Sequence, residues 1–199
     1  MDLTVFKIRL TKLKEKLRDN NIETAIITDE DNVYYLCGYY DYLHMDFGRP
    51  TLLIISVDRE ILLVTPAIDL NTAQEAACVD RISAWNDGMG EEWRAELPQI
   101  LKKSGRIAIE PDQMPPIVKR YIDQEVPSNQ VTNVTPILST MRMVKSDQEL
   151  KIARDAGKVA NAMMLAGREA IGDGVAEYEV AIATSNAGTK KAAEILKND

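Results

Sequence analysis

The chain has 199 residues, 45% of them hydrophobic, which is enough for a substantial core and one or two domains. Its 31 acidic and 24 basic residues give a net charge of −7, which argues against nucleic acid or an anionic membrane as a partner. No apolar stretch is long enough to predict a membrane span, and the N-terminus lacks the layout of a secretory signal. Two cysteines, Cys37 and Cys78, suit a reducing compartment, so we expect a cytoplasmic protein.

The chain opens with a helical pattern. Apolar residues spaced three and four apart predict an amphipathic helix over residues 5–20. The β-branched run at 24–28 predicts a short buried strand, and a helical turn is expected at 31–36. A Tyr-rich, irregular loop then extends over residues 38–48.

Strand and helix patterns alternate over the next part of the chain. In order, they predict strands at 51–56 and 60–65, a helix at 69–78, a strand at 81–85, a helix at 91–103 bent at Pro98, a strand at 106–110 and a helix at 115–124. This alternation predicts an α/β fold, a mixed β-sheet flanked by helices, which we place at residues 1–138.

The pattern changes to all-helical in residues 139–199. Ser146 and Glu149 form a capping-box signature before a long helix that ends at residues 172–174. A second helix is predicted at 177–187, with a break at Gly188. Two such helices cannot bury enough surface to be stable alone, so we expect this part to be the beginning of a larger, truncated domain.

Sequence motifs for known chemistry are scarce. The single histidine, His44, is accompanied by no metal-binding motif, and we interpret it as a surface or hydrogen-bonding residue. The sequence contains neither a P-loop nor GxSxG, so neither nucleotide binding nor a serine triad is predicted. Neither cysteine has flanking positive charge, which favours buried, unreactive thiols.

Glu110 and Asp112 follow a predicted strand, at the end where open α/β sheets often bind ligands. Two close carboxylates could perform acid–base chemistry, as in an independent hydrolase. The alternative is structural: Asp112 helps to cap the next helix, while Glu110 meets water or a nearby cation. We favour the structural interpretation, because no other catalytic residue accompanies the pair.

Residues 34–50 contain five of the seven tyrosines together with Phe47 and Arg49. Arginine binds carboxylates through two parallel hydrogen bonds, and an aromatic ring packs against the rest of a ligand, so the segment could hold a small organic anion. Packing of amphipathic aromatic residues explains the same pattern. The residues by themselves favour packing.

Several segments together resemble the creatinase/prolidase/aminopeptidase P family. They are "NVYYLCGYY" at 32–40, "RIAIEPD" at 106–112 and "MRMVKSDQELKIARDAG" at 141–157, and they occur in the family's order across nearly the whole chain. The resemblance implies an N-terminal α/β domain with a ribonuclease H-like motif. It also implies that residues 139–199 are a linker and the first helices of a truncated pita-bread catalytic domain.

The resemblance also implies a function. Family members hydrolyse C–N bonds, as creatinases or as Xaa-Pro peptidases, with catalytic residues in the pita-bread domain. We therefore expect no catalytic residue, no metal ligand and no cofactor in this chain, which should be inactive alone. A divalent ion (Mn, Co or Zn) is implied for the parent enzyme if it is peptidase-like.

The segment "FGRP" at 47–50 is most similar to the creatinase branch of the family. That similarity implies that Phe47 and Arg49 bind substrate in the active site of the partner subunit of a homodimer, with Arg49 pairing with the substrate's carboxylate. It favours creatine or a similar small carboxylated compound over a Xaa-Pro peptide. The alternative function is a stand-alone, non-catalytic module for dimerisation or small-acid binding.

Overall fold

The computed structural model describes residues 3–40, 50–86, 88 and 92–197. The chain divides into two compact units, Met1–Met143 and Val144–Asp199. The first unit is a mixed α/β domain and the second is helical, which confirms the fold class predicted from the sequence. Among the described helices, none combines the length and apolar character that crossing a bilayer requires.

The first unit alternates helices and strands along the chain. The elements are α1 (Leu3–Asp19), β1 (Thr24–Ile27), α2 (Glu30–Cys37), β2 (Leu52–Ser56), β3 (Ile61–Pro66), α3 (Leu70–Ala76), β4 (Arg81–Trp85), α4 (Leu97–Lys102), β5 (Ile107–Ile109), α5 (Pro116–Glu125), β6 (Val131–Asn133) and α6 (Thr135–Met143). Short 3₁₀ turns lie at Ala67–Asp69, Glu92–Arg94 and Ser128–Gln130.

Within the described residues, these six strands form one sheet in the order β4-β3-β2-β1-β5-β6. Strand β2 runs antiparallel to both of its neighbours, and every other pair is parallel. The carboxyl ends of the five parallel strands and the amino end of β2 therefore lie at the same edge of the sheet, which we call the carboxyl edge. Open α/β sheets bind ligands at this edge.

Both faces of the sheet are buried, which explains why its central strands read as continuous apolar runs. In β1, Ala25 and Ile27 pack on the face covered by α1, α2 and α6. Ile26 packs on the opposite face, against α4 and α5. Because successive side chains alternate between the two faces, a strand between two helical layers needs apolar residues at every position.

Three features of the first unit differ from the sequence-based prediction, the first being helix α6, which was not predicted. Strand β6 was not predicted, because its three residues are half-buried or exposed at the sheet edge and show no apolar run. The helix expected to bend at Pro98 instead consists of a 3₁₀ turn followed by α4, with Pro98 in the first turn of α4. Proline is tolerated there because the first amides of a helix have no partner within it.

The second unit contains α7 (Asp147–Ala170) and α8 (Glu177–Leu196). The predicted capping box is present: the Ser146 hydroxyl accepts from the Glu149 amide, and the Glu149 carboxylate accepts from the Ser146 amide at 2.8 Å. The predicted break at Gly188 is wrong, since α8 is continuous through it. Gly188 is buried against the Met163 side chain of α7. A Cβ at position 188 would lie only 2.7 Å from Cγ of Met163, so glycine lets the two helices approach closely.

Candidate functional site

The candidate substrate-binding residues Phe47 and Arg49, like His44, belong to segment 41–49, which lies outside the described residues. The structure does describe the residues on either side of that segment. They determine where on the fold the segment begins and ends.

The chain enters segment 41–49 from a glycine turn. Gly38, directly after α2, has a φ of 84°, and its amide donates to the carbonyl of Tyr34 at 2.8 Å. A Cβ at Gly38 would lie 2.7 Å from the ring of Phe6, so both the conformation and the space favour glycine. The turn therefore fixes the direction in which the chain leaves α2.

Tyr39 anchors the near end of the segment. Its side chain is only 1% exposed, and its hydroxyl lies 3.1 Å from Oγ1 of Thr65, near the end of β3. Thr65 also lies 3.3 Å from Oγ1 of Thr51, the residue that precedes β2. These buried hydroxyl contacts attach the chain on both sides of the segment to the carboxyl edge.

Pro50 anchors the far end. It is buried, and its carbonyl accepts a hydrogen bond of 3.2 Å from the indole of Trp85, the last residue of β4. Arg49 therefore directly precedes a fixed, buried residue at the carboxyl edge of the sheet. The residues that flank segment 41–49, Tyr39 and Pro50, thus contact the ends of β3 and β4.

The tyrosines described in this stretch have packing roles. The ring of Tyr35 lies 4.1 Å from the guanidinium of Arg9, and its hydroxyl donates to the carbonyl of Met141 at 3.2 Å. Tyr34 makes edge-to-face contacts with Phe6 and Tyr40, and both tyrosine side chains remain partly exposed. The aromatic residues thus pack the helical layer beside the segment.

Glu110 follows β5 at the carboxyl edge and is completely buried. Its Oε2 accepts hydrogen bonds from the backbone amides of Thr28 and Asp29, at 2.8 and 3.0 Å. Its Oε1 accepts from Nδ2 of Asn32 at 2.5 Å. Both carboxylate oxygens accept hydrogen bonds, one from the β1–α2 connection and the other from α2, so the role of Glu110 is structural.

The detailed expectations for the Glu110–Asp112 pair are corrected. Glu110 does not meet water, because it has no exposed surface, and its direct partners are amide groups rather than a cation. Asp112 is exposed and does not cap α5, whose preceding residue, Pro115, has no side-chain cap. Pro116 at the start of α5 has no amide that would need a cap, and the carbonyl of Pro115 accepts from the amides of Val118 and Lys119.

Burial raises the pKa of Glu110 above its ordinary value of 4.5. The hydrogen bonds from Asp29, Thr28 and Asn32 act in the opposite direction, since they favour the carboxylate, but desolvation is the larger effect.

Arg142, near the end of α6, extends this cluster. Its Nη1 donates to Oδ1 of Asn32 at 2.6 Å, so the Asn32 side chain links Glu110 to Arg142. Arg142 also lies 3.9 Å from Asp31 and 5.8 Å from the ring of Tyr35. The sequence analysis missed the roles of Asn32 and Arg142, although both lie in the segments that carry the family resemblance.

The described part of the chain contains no cluster of three or more His, Cys, Asp or Glu side chains that could hold a metal ion.

Comparison with known proteins identifies the first unit. Residues 9–144 match the model of the creatinase/prolidase N-terminal domain. The chain is 27% identical over 178 residues to the creatinase of Bacillus sp. (strain B-0618), an alignment that covers 87% of this chain and 42% of that protein. The chain spans less than half the length of the curated relatives that it matches first.

Solved structures share the fold. The prolidase of Pyrococcus horikoshii OT3 superposes with a TM-score of 0.76 and 21% identity, covering 92% of this chain and 48% of that one. The creatinase/prolidase N-terminal domain of an X-Pro dipeptidase from Streptococcus pyogenes superposes with a TM-score of 0.56 and 23% identity. That match covers 67% of this chain and 98% of the other.

Proposed function

The chain belongs to the family of creatinase/prolidase N-terminal domains, as its sequence resemblance predicted, and we propose that it is the non-catalytic N-terminal part of a homodimeric hydrolase that cleaves C–N bonds. In this proposal, segment 41–49 reaches the active site of the partner subunit and binds a small carboxylated substrate there. The cytoplasm is the proposed setting, consistent with two free cysteines.

The observation that carries the proposal is the attachment of the residues on either side of segment 41–49. Tyr39 is tied to Thr65, and Pro50 is tied to Trp85, so the segment begins and ends at the ligand-binding edge of the sheet. Fixed ends lower the conformational entropy that the segment must lose when it orders around a ligand. A short segment held in this way is suited to present Phe47 and Arg49 to a partner.

The two proposed residues have distinct roles. The guanidinium of Arg49 forms two parallel hydrogen bonds with the substrate carboxylate, and Phe47 packs against the substrate's apolar surface. Neither residue transfers a proton or supplies a nucleophile, so the hydrolytic step belongs to the catalytic domain. In a peptidase-like parent, that domain would hold a divalent Mn, Co or Zn ion.

A ligand titration tests the substrate-binding role. We expect creatine to shift amide resonances of the ¹⁵N-labelled chain with a dissociation constant of about 1 mM or weaker, because only half of the site is present. Arg49→Ala should abolish these shifts, whereas Arg120→Ala, which removes an exposed cation from α5, should leave them unchanged. Shifts that persist in Arg49→Ala, or shifts absent from the original chain, would contradict this role.

A Xaa-Pro dipeptide titrated in parallel distinguishes the substrate classes. Binding of the dipeptide in preference to creatine would favour a peptidase-like parent.

Sedimentation velocity over a range of concentrations tests dimerisation: we expect a reversible dimer, and a monomer at every concentration would contradict that part of the proposal. We expect the 199-residue chain to hydrolyse neither creatine nor the dipeptide.

A further inference from the structure

The chain's two cysteines are far apart in sequence but adjacent in the fold. Cys37 is the last residue of α2, and Cys78 lies between α3 and β4. The backbone amide of Cys78 donates to the carbonyl of Cys37 at 2.7 Å. A second contact supports this proximity, because a Cβ at Gly38 would lie 3.1 Å from the carbonyl oxygen of Ala76.

This backbone contact brings the two residues within bridging distance. With standard bond lengths, a hydrogen bond of that kind places the two Cα atoms about 5–6 Å apart. Disulfides span Cα separations of about 4.4–6.8 Å. Both thiols are free in this structure, and the Sγ of Cys78 makes only a weak contact of 3.9 Å with the carbonyl of Leu3. Rotation of the Cys78 side chain towards Cys37 would therefore break only this weak contact.

The two thiols have different environments. Cys37 is buried, and burial raises the pKa of its thiol to about 12, with a smaller contribution from the nearby Cys78 thiol. Cys78 is only partly buried and lines an open groove of about 500 Å³. Lys7 and Lys14 line the same groove, together with Asp80. A small oxidant can thus reach Cys78, and the two lysines favour one that is anionic.

We propose that Cys37 and Cys78 are a redox-modification site, at which a low-molecular-weight disulfide such as glutathione disulfide converts the two thiols into a reversible intramolecular disulfide. In this pair, Cys78 is the thiol that the oxidant reaches, and Cys37 resolves the mixed disulfide. The inference is independent of the proposed function, since it requires only the first unit.

The reaction proceeds in two exchange steps. The Cys78 thiolate attacks one sulfur of glutathione disulfide, which forms a mixed disulfide and releases one glutathione thiolate. Cys37, which burial keeps as a thiol, loses its proton as its Sγ attacks Sγ of Cys78, which forms the protein disulfide and releases the second glutathione thiolate. The two protons lost by the cysteines go to the two glutathione thiolates, so the protein loses two electrons and glutathione disulfide gains them.

The sequence gives no sign of this site, because neighbouring residues supply no positive charge to either cysteine. The lysines of the groove come from α1, which is distant in sequence from Cys78. The disulfide would join the end of α2 to the residues that lead into β4. It would therefore lie next to Gly38, where the chain turns towards segment 41–49.

Intact-mass measurement tests the pairing. The folded chain is incubated with glutathione disulfide in mildly alkaline buffer, and remaining thiols are then alkylated. We expect a species that has lost two hydrogen atoms and carries no alkyl group, and that dithiothreitol returns to two alkylatable thiols. A product that keeps a glutathione adduct, or that keeps two alkylatable thiols, would overturn the proposal.

Two variants assign the roles of the cysteines. Cys37→Ala should stop at a stable glutathione adduct on Cys78, because the resolving thiol is missing. Cys78→Ser should form neither adduct nor disulfide, because Cys37 is buried. Rapid glutathionylation of Cys78→Ser would show that the buried thiol is the one that reacts first, and would contradict the proposed order.

Discussion

The side-chain amide of Asn32 donates a hydrogen bond of 2.5 Å to Oε1 of Glu110. Asn32 lies in the first turn of α2, and Glu110 directly follows β5, so this contact joins α2 to the β5–α5 connection at the carboxyl edge. The oxygen of the same amide accepts from Arg142 at 2.6 Å, which extends the link to α6. Both carboxylate oxygens of Glu110 and both polar atoms of the Asn32 amide have a hydrogen-bond partner, so the Glu110 charge is buried without being left unsatisfied.

Glu110→Ala should destabilise the first unit by about 2–4 kcal/mol, because buried donors on Thr28, Asp29 and Asn32 would lose their acceptor. Urea unfolding monitored by tryptophan fluorescence measures this loss, since Trp85 and Trp93 are both buried in this unit. The matched control is Asp112→Ala, an exposed carboxylate two residues away, which should change the free energy by less than about 0.5 kcal/mol. Equal effects of the two substitutions would show that the cluster is not structural.

Glu110 should also contribute a pH dependence to stability. In the unfolded state the pKa of Glu110 has its ordinary value of 4.5, and burial raises it in the native state. Between the unfolded-state pKa and the native-state pKa, the native state therefore binds more protons than the unfolded state. The free energy of unfolding contributed by this group is therefore greatest below pH 4.5, and it decreases as pH rises through the native pKa.

Glu110→Gln isolates that contribution, because glutamine does not titrate. The free energy of unfolding of each protein is measured from about pH 4 to pH 7, and the value for Glu110→Gln is subtracted from that for the original chain. We expect the difference to decrease with rising pH. A difference that is constant, or that increases with pH, would contradict the raised pKa.

The sequence predicted the framework of the first unit well, because its signals are local. The β-branched run of β1 and the apolar stripe of α1 each carry enough information within one element. The partners of Glu110 could not be predicted, since they depend on which strands pair: β1 lies next to β5 although 79 or more residues separate them. The same limit applies to Cys37 and Cys78, whose contact depends on the packing of α2 against the α3–β4 connection.

Gly188 shows how a local sequence signal can give a wrong prediction of a helix break. In an isolated sequence, glycine within a helical pattern indicates a break, because it is a poor helix former. Here tertiary packing overrides that preference, since the Met163 side chain lies too close to leave room for a Cβ at Gly188.

The parts of the candidate site at Phe47 and Arg49 remain predictions, because those residues lie outside the described part of the chain.

A pair of glycine substitutions tests this packing. Gly157→Ala, in an exposed part of α7 where the new Cβ would meet nothing within 4 Å beyond its own helix backbone, should stabilise the second unit by about 0.5–1 kcal/mol. Gly188→Ala gains the same helix propensity, but overpacking against Met163 costs about 1–3 kcal/mol, so a net loss of about 1 kcal/mol is expected. Hydrogen exchange of the α7 and α8 amides measures both effects. Equal stabilisation by the two substitutions would show that the helices do not pack closely at Gly188.

The proposed disulfide should stabilise the first unit. A bond between Cys37 and Cys78 closes a loop that contains β2, β3 and α3. Because such a loop lowers the conformational entropy of the unfolded chain, we expect the free energy of unfolding to rise by about 2–4 kcal/mol. Urea unfolding of the oxidised and reduced chains measures the gain. The matched control is Cys78→Ser, in which the oxidant should leave the unfolding midpoint unchanged. Oxidised protein that is less stable than reduced protein would show that the native geometry must distort to close the bond, and that the two thiols do not lie in bridging positions.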